Sequence, residues 1–189
     1  MKTILKTIII TLYIFLSFNA FSESSNIFII ETNRGNITIE VYPEKAPKTV
    51  ENFKKYVTNE FYNGLIFHRV IDNFMIQGGG FDKNMMQKKT NEPIINESSN
   101  GLKNKLYTLA MARTNDPNSA TSQFFINLLN NNFLDYSGKS ANKIGYCVFG
   151  SVIEGKEIVD KVGKFSTHTK NGFGDVPIKT VVIKSIKQR

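Results

Sequence analysis

The stretch Phe67-His68-Arg69-Val70-Ile71-Asp72-Asn73-Phe74-Met75-Ile76-Gln77-Gly78-Gly79-Gly80-Phe81 decides how the rest of the chain is read. It sets one arginine among large apolar residues, adds a glutamine and closes on three glycines. A guanidinium is always charged and presents a rigid fork of donors. Beside Phe and Met, Arg69 is either one half of an ion pair or a donor kept for a ligand. The nearest acid in sequence is Asp72. In a strand that alternates from Arg69 to Phe74, Asp72 lies on the face opposite Arg69, so a local ion pair is not the obvious answer.

Working outward, Leu65 to Val70 and Phe74 to Gln77 read as strands flanking a bend. Neither a helix start nor Lys-Ser/Thr follows Gly78-Gly79-Gly80, so this is no phosphate loop. A close backbone approach or a bend suits the glycines better. Upstream, Ile27 to Thr32 and Ile37 to Tyr42 are β-rich and joined by Asn33-Arg34-Gly35-Asn36, a hairpin by turn chemistry. Pro43 and Pro47 end the second strand. A helix starts near Pro47, a residue suited to a first helical position. Val50, Phe53 and Val57 give that helix an apolar stripe, with Lys48, Glu51, Lys54 and Lys55 outward.

Downstream, Phe81 to Glu92 is polar and without period, and reads as a long loop in which Met85 and Met86 serve packing. Tyr107 to Ala112 and Phe124 to Leu128 are strands, separated by a loop over Arg113 to Thr121. Asn130 to Lys143 is loop again, and Tyr146 to Ile153 a strand. Lys156 to Val162 is a short helix with Ile158, Val159 and Val162 inward. Val176 to Ile186 closes the chain as one strand. About eight short strands, two helices and glycine-rich turns argue for a sandwich or a barrel. A closed barrel leaves no exposed edge.

The first residues read as an address. Lys2 and Lys6 precede an apolar, uncharged run from Thr7 to Phe18, and Ala20-Phe21-Ser22 puts small residues at a cleavage spacing. Residues 1–22 are therefore a secretory signal peptide cut after Ser22. The run is short for a membrane span, which needs roughly 20 residues. A lipid anchor would need a cysteine near the cut, and the one cysteine is Cys147. The remaining residues 23–189 form one domain with no dividing linker. They carry 22 basic and 16 acidic residues, a net charge of +6.

One cysteine forms no internal disulfide, which fits an envelope space such as the bacterial periplasm better than a disulfide-stapled secreted scaffold. Cys147, between Tyr146 and Val148, reads as a small buried hydrophobe. The charge is spread, with Lys54-Lys55 and Lys88-Lys89 the basic doublets, so nucleic-acid binding is not indicated. His68 and His168 stand a hundred residues apart with no ligand spacing, so no metal site is expected. No serine or cysteine sits in a nucleophile elbow. His68 reads as a structural histidine bonded to backbone.

What remains is an arginine, glutamines and aromatics from three segments. The runs FHRVIDNFMIQGGGF, MARTNDPNSATSQFFIN and FLD…YCVFG, with KAPKTVENF at the first helix, resemble the cyclophilin family of peptidyl-prolyl cis-trans isomerases. The resemblance runs from about residue 27 to the C-terminus and is nearest to the bacterial periplasmic branch. It implies a mainly β fold: a closed eight-stranded antiparallel β-barrel capped by two α-helices. It implies an enzyme that needs no cofactor or metal and rotates Xaa-Pro peptide bonds. Arg69 is the implied catalytic donor. Phe74, Met75, Phe125 and Leu134 are the implied proline-ring pocket, with Phe133 and Tyr146 at its rim. Gln77 and Gln123 hold substrate carbonyls or steady Arg69. Ala112 and the backbone of Arg113 pair with the peptide main chain.

The departures from the family pattern are local. QGGGF replaces the QGGDF of many eukaryotic members, Phe133 stands at a frequent tryptophan, Tyr146 at a frequent histidine and Arg113 at a frequent asparagine. The missing tryptophan weakens the case for tight cyclosporin binding. The implied partners are proline-containing polypeptides, unfolded or folding envelope proteins, met by a periplasmic monomer that does not stay inserted in a membrane. Two other readings compete. A non-catalytic proline-peptide-binding chaperone module would show a damaged arginine or pocket. An apolar-ligand carrier barrel fits poorly with the arginine, the glutamines and the polar loops.

Overall fold

Alternating β-branched residues build a hairpin from β1 (Ile27–Thr32) and β2 (Gly35–Val41), with Thr32 opposite Gly35. A computed structural model describes residues 25–189. The signal peptide read from residues 1–22, with its cut after Ser22, lies outside the described residues. The chain continues through α1 (Pro47–Thr58), β3 (Leu65–Ile71), β4 (Met75–Asp82), β5 (Thr108–Met111), β6 (Phe124–Asn127) and β7 (Val148–Glu154). It closes with α2 (Lys156–Gly163), β8 (Thr167–Lys170), β9 (Phe173–Pro177) and β10 (Val181–Gln188). Eight strands form a closed barrel in the order β1-β10-β3-β4-β6-β5-β7-β2, and each neighbouring pair is antiparallel. Closure leaves those strands without a free edge.

Side chains fill the barrel. Phe28, Ile30, Ile37, Ile39, Phe67, Phe124 and Phe149 are buried in one core with Val50, Phe53 and Tyr56 of α1 and Val159 and Val162 of α2. Phe53 carries the helix stripe into the barrel. Its ring lies 5.4 Å from Phe28, 5.5 Å from Phe149 and 6.2 Å from Phe124. Such a filled interior leaves the outer wall as the place for a site.

The start of α1 is capped from a distance. Ala46 precedes Pro47 and offers no capping side chain. Two of the free backbone N–H groups there, those of Lys48 and Thr49, donate to the Glu97 carboxylate at 3.1 and 2.8 Å, and the Thr49 hydroxyl adds a third bond at 2.7 Å. A carboxylate suits the positive end of a helix.

The structure redraws three stretches. β4 runs through all three glycines to Asp82, rather than stopping at Gln77, and Met85 of the following loop is buried with Ile66, Phe81 and Val176. Val176 to Ile186 is two strands, since β9 ends at Pro177 and β10 starts at Val181. Residues 167–177 form an extra hairpin outside the barrel, turning at Asn171-Gly172 with φ of 51° and 82°. Positive φ at both central residues is the strand-matched turn that Asn-Gly favours.

Candidate active site

The register of β3 does not follow simple alternation. Phe67 lies opposite Gly78 and Arg69 opposite Gln77, so β3 holds one extra residue at this point. Such a bulge sends two successive side chains to one face. Phe67 and Val70 join the barrel core, whereas His68 and Arg69 both line a groove on the outer wall. The backbone of β4 lies close against its neighbours here. A Cβ on Gly78 would stand 3.1 Å from the Ile66 carbonyl oxygen, and one on Gly80 2.5 Å from the Gln123 side chain.

From Arg69 the pairing runs across the sheet. Gln77 faces Arg69 on one side and Phe125 on the other, and Phe125 faces Ala110. The Gln77 amide donates to the Gln123 side-chain oxygen at 2.9 Å. Beside this row Met75, Ala110, Phe125, Leu134 and Val148 form an apolar cluster separate from the barrel core. Their surface opens as a hollow of about 200 Å³ lined by Arg69, Phe74, Met75, Gln77, Ala112, Arg113, Phe125, Leu134 and Tyr146. That is smaller than the roughly 300–1,000 Å³ of drug-sized sites. It suits one ring with a polar group at its lip.

A second groove of about 470 Å³ continues from the hollow and shares Arg69, Gln77, Ala112 and Arg113 with it. Gln123 lines this groove, with Thr90, Ser119 and Thr121. Phe133 stands outside the hollow, 75% exposed, its ring stacked 5.7 Å from Phe74. Tyr146 meets Phe125 edge to face at 5.7 Å. A larger hollow of about 760 Å³ lies between α1 and residues 91–95; its lining mixes lysines, acids, amides and two isoleucines and shares no residue with the hollow at Arg69.

Arg69 has one ionic partner among the described residues, Asp175 of β9, whose Oδ2 is 3.5 Å from Nε. Both side chains are close to half exposed. Asp175, Phe173 and Gly174 were not foreseen at the site; the last two line the larger groove. The signal for them was the Asn171-Gly172 pair, which marks the hairpin that brings them there. Asp72 instead pairs with Lys164 at 2.7 Å.

His68 is buried against the Phe81 ring at 4.7 Å, and its Nδ1 has no partner. Burial holds its pKa down at about 4, against a smaller opposing pull from a hydrogen bond with the Ile66 backbone. Cys147 is buried, and the same cost of desolvation pushes its thiol up to about 11. It touches the Thr49 hydroxyl at 3.4 Å, away from the hollow.

A closed barrel with a filled interior and an outer-wall hollow lined by one cation, two amides and an apolar cup defines a class: β-barrels that carry their candidate site outside the barrel rather than within it. Residues 27–188 match the family model described as cyclophilin type peptidyl-prolyl cis-trans isomerase/CLD. The chain is 54% identical over 155 residues to peptidyl-prolyl cis-trans isomerase B of Escherichia coli, covering 82% of this chain and 94% of that one. It is 46% identical to peptidyl-prolyl cis-trans isomerase A of Dickeya dadantii, covering 96% and 97%. Among solved structures it resembles a cyclophilin type isomerase from Cryptosporidium parvum crystallised in the presence of the dipeptide Ala-Pro. That likeness has a TM-score of 0.71 at 26% identity, over 86% of this chain and 98% of the other. The chain belongs to the cyclophilin family, and its activity is cis-trans isomerisation of peptidyl-prolyl bonds.

Proposed function

We propose that the 200 Å³ hollow takes the proline ring of the substrate and that Arg69 is the catalytic donor. An Xaa-Pro bond resists rotation because its C–N bond is partly double, with a barrier of about 18–20 kcal/mol. In the twisted transition state the proline nitrogen loses conjugation and regains a lone pair. A fixed cation aimed at that nitrogen binds the twisted state better than either planar one, which is how a barrier falls. The observation that carries this reading is the placement of Arg69. Its shortest ionic contact, Nε to Asp175, is 3.5 Å, and no hydrogen bond engages Nη1 or Nη2 among the described residues, while the side chain lines the apolar cup.

Phe74, Met75, Phe125 and Leu134 grip the ring by shape, Tyr146 walls it, and Phe133 extends the apolar surface by stacking on Phe74. Gln77 and Gln123, already bonded to each other, offer amide groups to substrate carbonyls beside Arg69. Ala112 and the backbone of Arg113 run along the peptide. A preorganised charged donor supplies about 3–4 kcal/mol, and the dry apolar cup the rest. The clients are exported polypeptides folding in the periplasm, met by a monomer; the leader pattern of residues 1–22 and the lone cysteine support that setting. Among the described residues no helix is long and apolar enough to cross a membrane.

The test is isomerisation of a short Xaa-Pro peptide by purified residues 23–189 beside an Arg69→Ala version. The expected result is a fast parent and a variant slowed by about a hundred- to a thousandfold, the scale of one lost transition-state donor. A variant as fast as its parent would remove Arg69 from the mechanism.

A further inference from the structure

We propose that the Arg113 side chain is a positioning residue: it staples the 136–145 loop to the end of β5 and so holds Tyr146 as one wall of the proline cup. This rests on the cup being the proline site. All three guanidinium nitrogens of Arg113 are engaged by carbonyl oxygens. Nη2 donates to Ile144 at 2.5 Å, Nε to Gly145 at 3.3 Å and Nη1 to Thr114 at 2.8 Å. The plane then lies over the Tyr146 ring, with Cζ 4.5 Å from its centre. Charged donors to carbonyls are among the stronger hydrogen bonds, and a cation over a tyrosine face adds to them.

The loop has little slack where the staple holds it. Its ends meet, since the Tyr146 N–H donates to the Leu134 carbonyl at 2.9 Å. A Cβ on Gly145 would stand 2.3 Å from that same carbonyl oxygen, so only glycine fits there. Between the ends the loop closes on itself, Ser137 N–H to the Lys143 carbonyl at 2.9 Å. Asn96 reaches the Gly145 carbonyl at 3.2 Å, and Asn104 the Leu134 carbonyl at 3.2 Å. Arg113 supplies the tie on the side of the cup. It holds Ile144 and Gly145 and caps Tyr146, whose ring meets that of Phe125 edge to face at 5.7 Å.

The geometry divides the two arginines of the site. Arg69 keeps free donors for the reacting bond. Arg113 spends its donors on loop carbonyls, so its loss changes how the ring is gripped rather than how the bond is twisted. An asparagine at residue 113 is too short to bridge three carbonyls and has no plane to lay on Tyr146.

The experiment compares Arg113→Ala and Arg113→Met with the parent in two readouts. One is the KM and kcat of Xaa-Pro isomerisation. The other is the rate at which a lysine-specific protease cuts after the exposed Lys139 and Lys143; neither variant alters that protease's sites. Arg113→Met keeps the apolar stem and guards against a variant that fails to fold. The expected result is KM raised by about tenfold, equivalent to 1.4 kcal/mol of binding, kcat within about twofold, and faster cutting at both lysines. In a double-mutant cycle, Arg113→Ala adds nothing to the KM rise of Tyr146→Ala. Unchanged cutting, a fall in kcat at constant KM, or additive effects would each overturn the proposal. The two failures are separable: the cup assignment stands or falls on the Arg69→Ala kinetics, the staple on the cutting rates.

Discussion

Arg69 and Asp175 meet at 3.5 Å although a hundred residues separate them, because the β8–β9 hairpin folds back against β3. The contact is at Nε, at the base of the guanidinium fork, and the same arginine lines the 200 Å³ hollow. Asp175 holds a left-handed backbone, φ 60°, which fixes where its carboxylate starts.

An exposed ion pair of this kind is worth under about 1 kcal/mol to stability. Asp175→Asn is therefore expected to leave the melting temperature nearly unchanged while lowering kcat by about three- to tenfold, at constant KM, through a less directed Arg69. Asp175→Glu should recover part of the loss. Steady-state isomerisation kinetics of the three proteins, with melting curves, decide it. An equal kcat in Asp175→Asn would mean that the ion pair does not orient Arg69.

Gly80 leaves room for Gln123, and a Cβ there would sit 2.5 Å from its side chain. A glutamine is flexible, so Gly80→Ala should fold and displace the Gln123 amide from Gln77. Losing an amide contact to a substrate carbonyl should raise KM about three- to tenfold, as expected for one hydrogen bond of about 1 kcal/mol. Peptide kinetics check this, and Gln123→Ala should mimic it.

Glu97 caps α1 across the fold, so removing it strips bonds from two backbone donors at once. Glu97→Ala is expected to cost about 1–2 kcal/mol. For a domain of this size that lowers the melting temperature by roughly 2–8 °C. Isomerase activity per folded molecule should hold, because the cap lies away from the cup.

His68 makes stability fall in mild acid. An unfolded histidine titrates near 6.5, whereas burial holds the folded one at about 4. Between these values the unfolded chain binds a proton that the native state refuses. Its contribution is thus complete above about pH 6.5 and is lost progressively as the pH falls toward 4, to the extent of about 3 kcal/mol. Glu31, Glu51 and Asp72 carry carboxyls held below their ordinary values by partners that begin with Ser185, Lys55 and Lys164. Urea unfolding at pH 7 and pH 4.5 should show the loss in the parent and a much smaller one in His68→Gln. Equal losses in both would assign the acid sensitivity elsewhere.

Much of the fold could be read because its signals are local. β-rich composition and the Asn33-Arg34-Gly35-Asn36 turn gave β1 and β2, Pro47 and a 3.6-residue stripe gave α1, and the runs around Phe67, Met111 and Phe124 gave strands that border the hollow. The family resemblance then gave the closed barrel and the set of residues proposed for the site. The reading failed where local signals were weak or mixed. Three glycines do not look like a strand, yet in β4 they let neighbouring chains approach. Asn171-Gly172 was a legible turn, passed over because the residues around it, Thr167 to Lys170, are polar and exposed.

The sequence by itself determined which residue types were on hand: an arginine among large apolar residues, with glutamines and aromatics drawn from three segments. Those are properties of residue types and short spacings. Only the tertiary structure decided how they are aimed. The bulge at His68 turns Arg69 onto the outer wall, Asp175 arrives from a hairpin more than a hundred residues away, and Arg113 spends its fork on backbone carbonyls. Each of these depends on contacts between segments distant in sequence, and chain closure, not local preference, sets those distances.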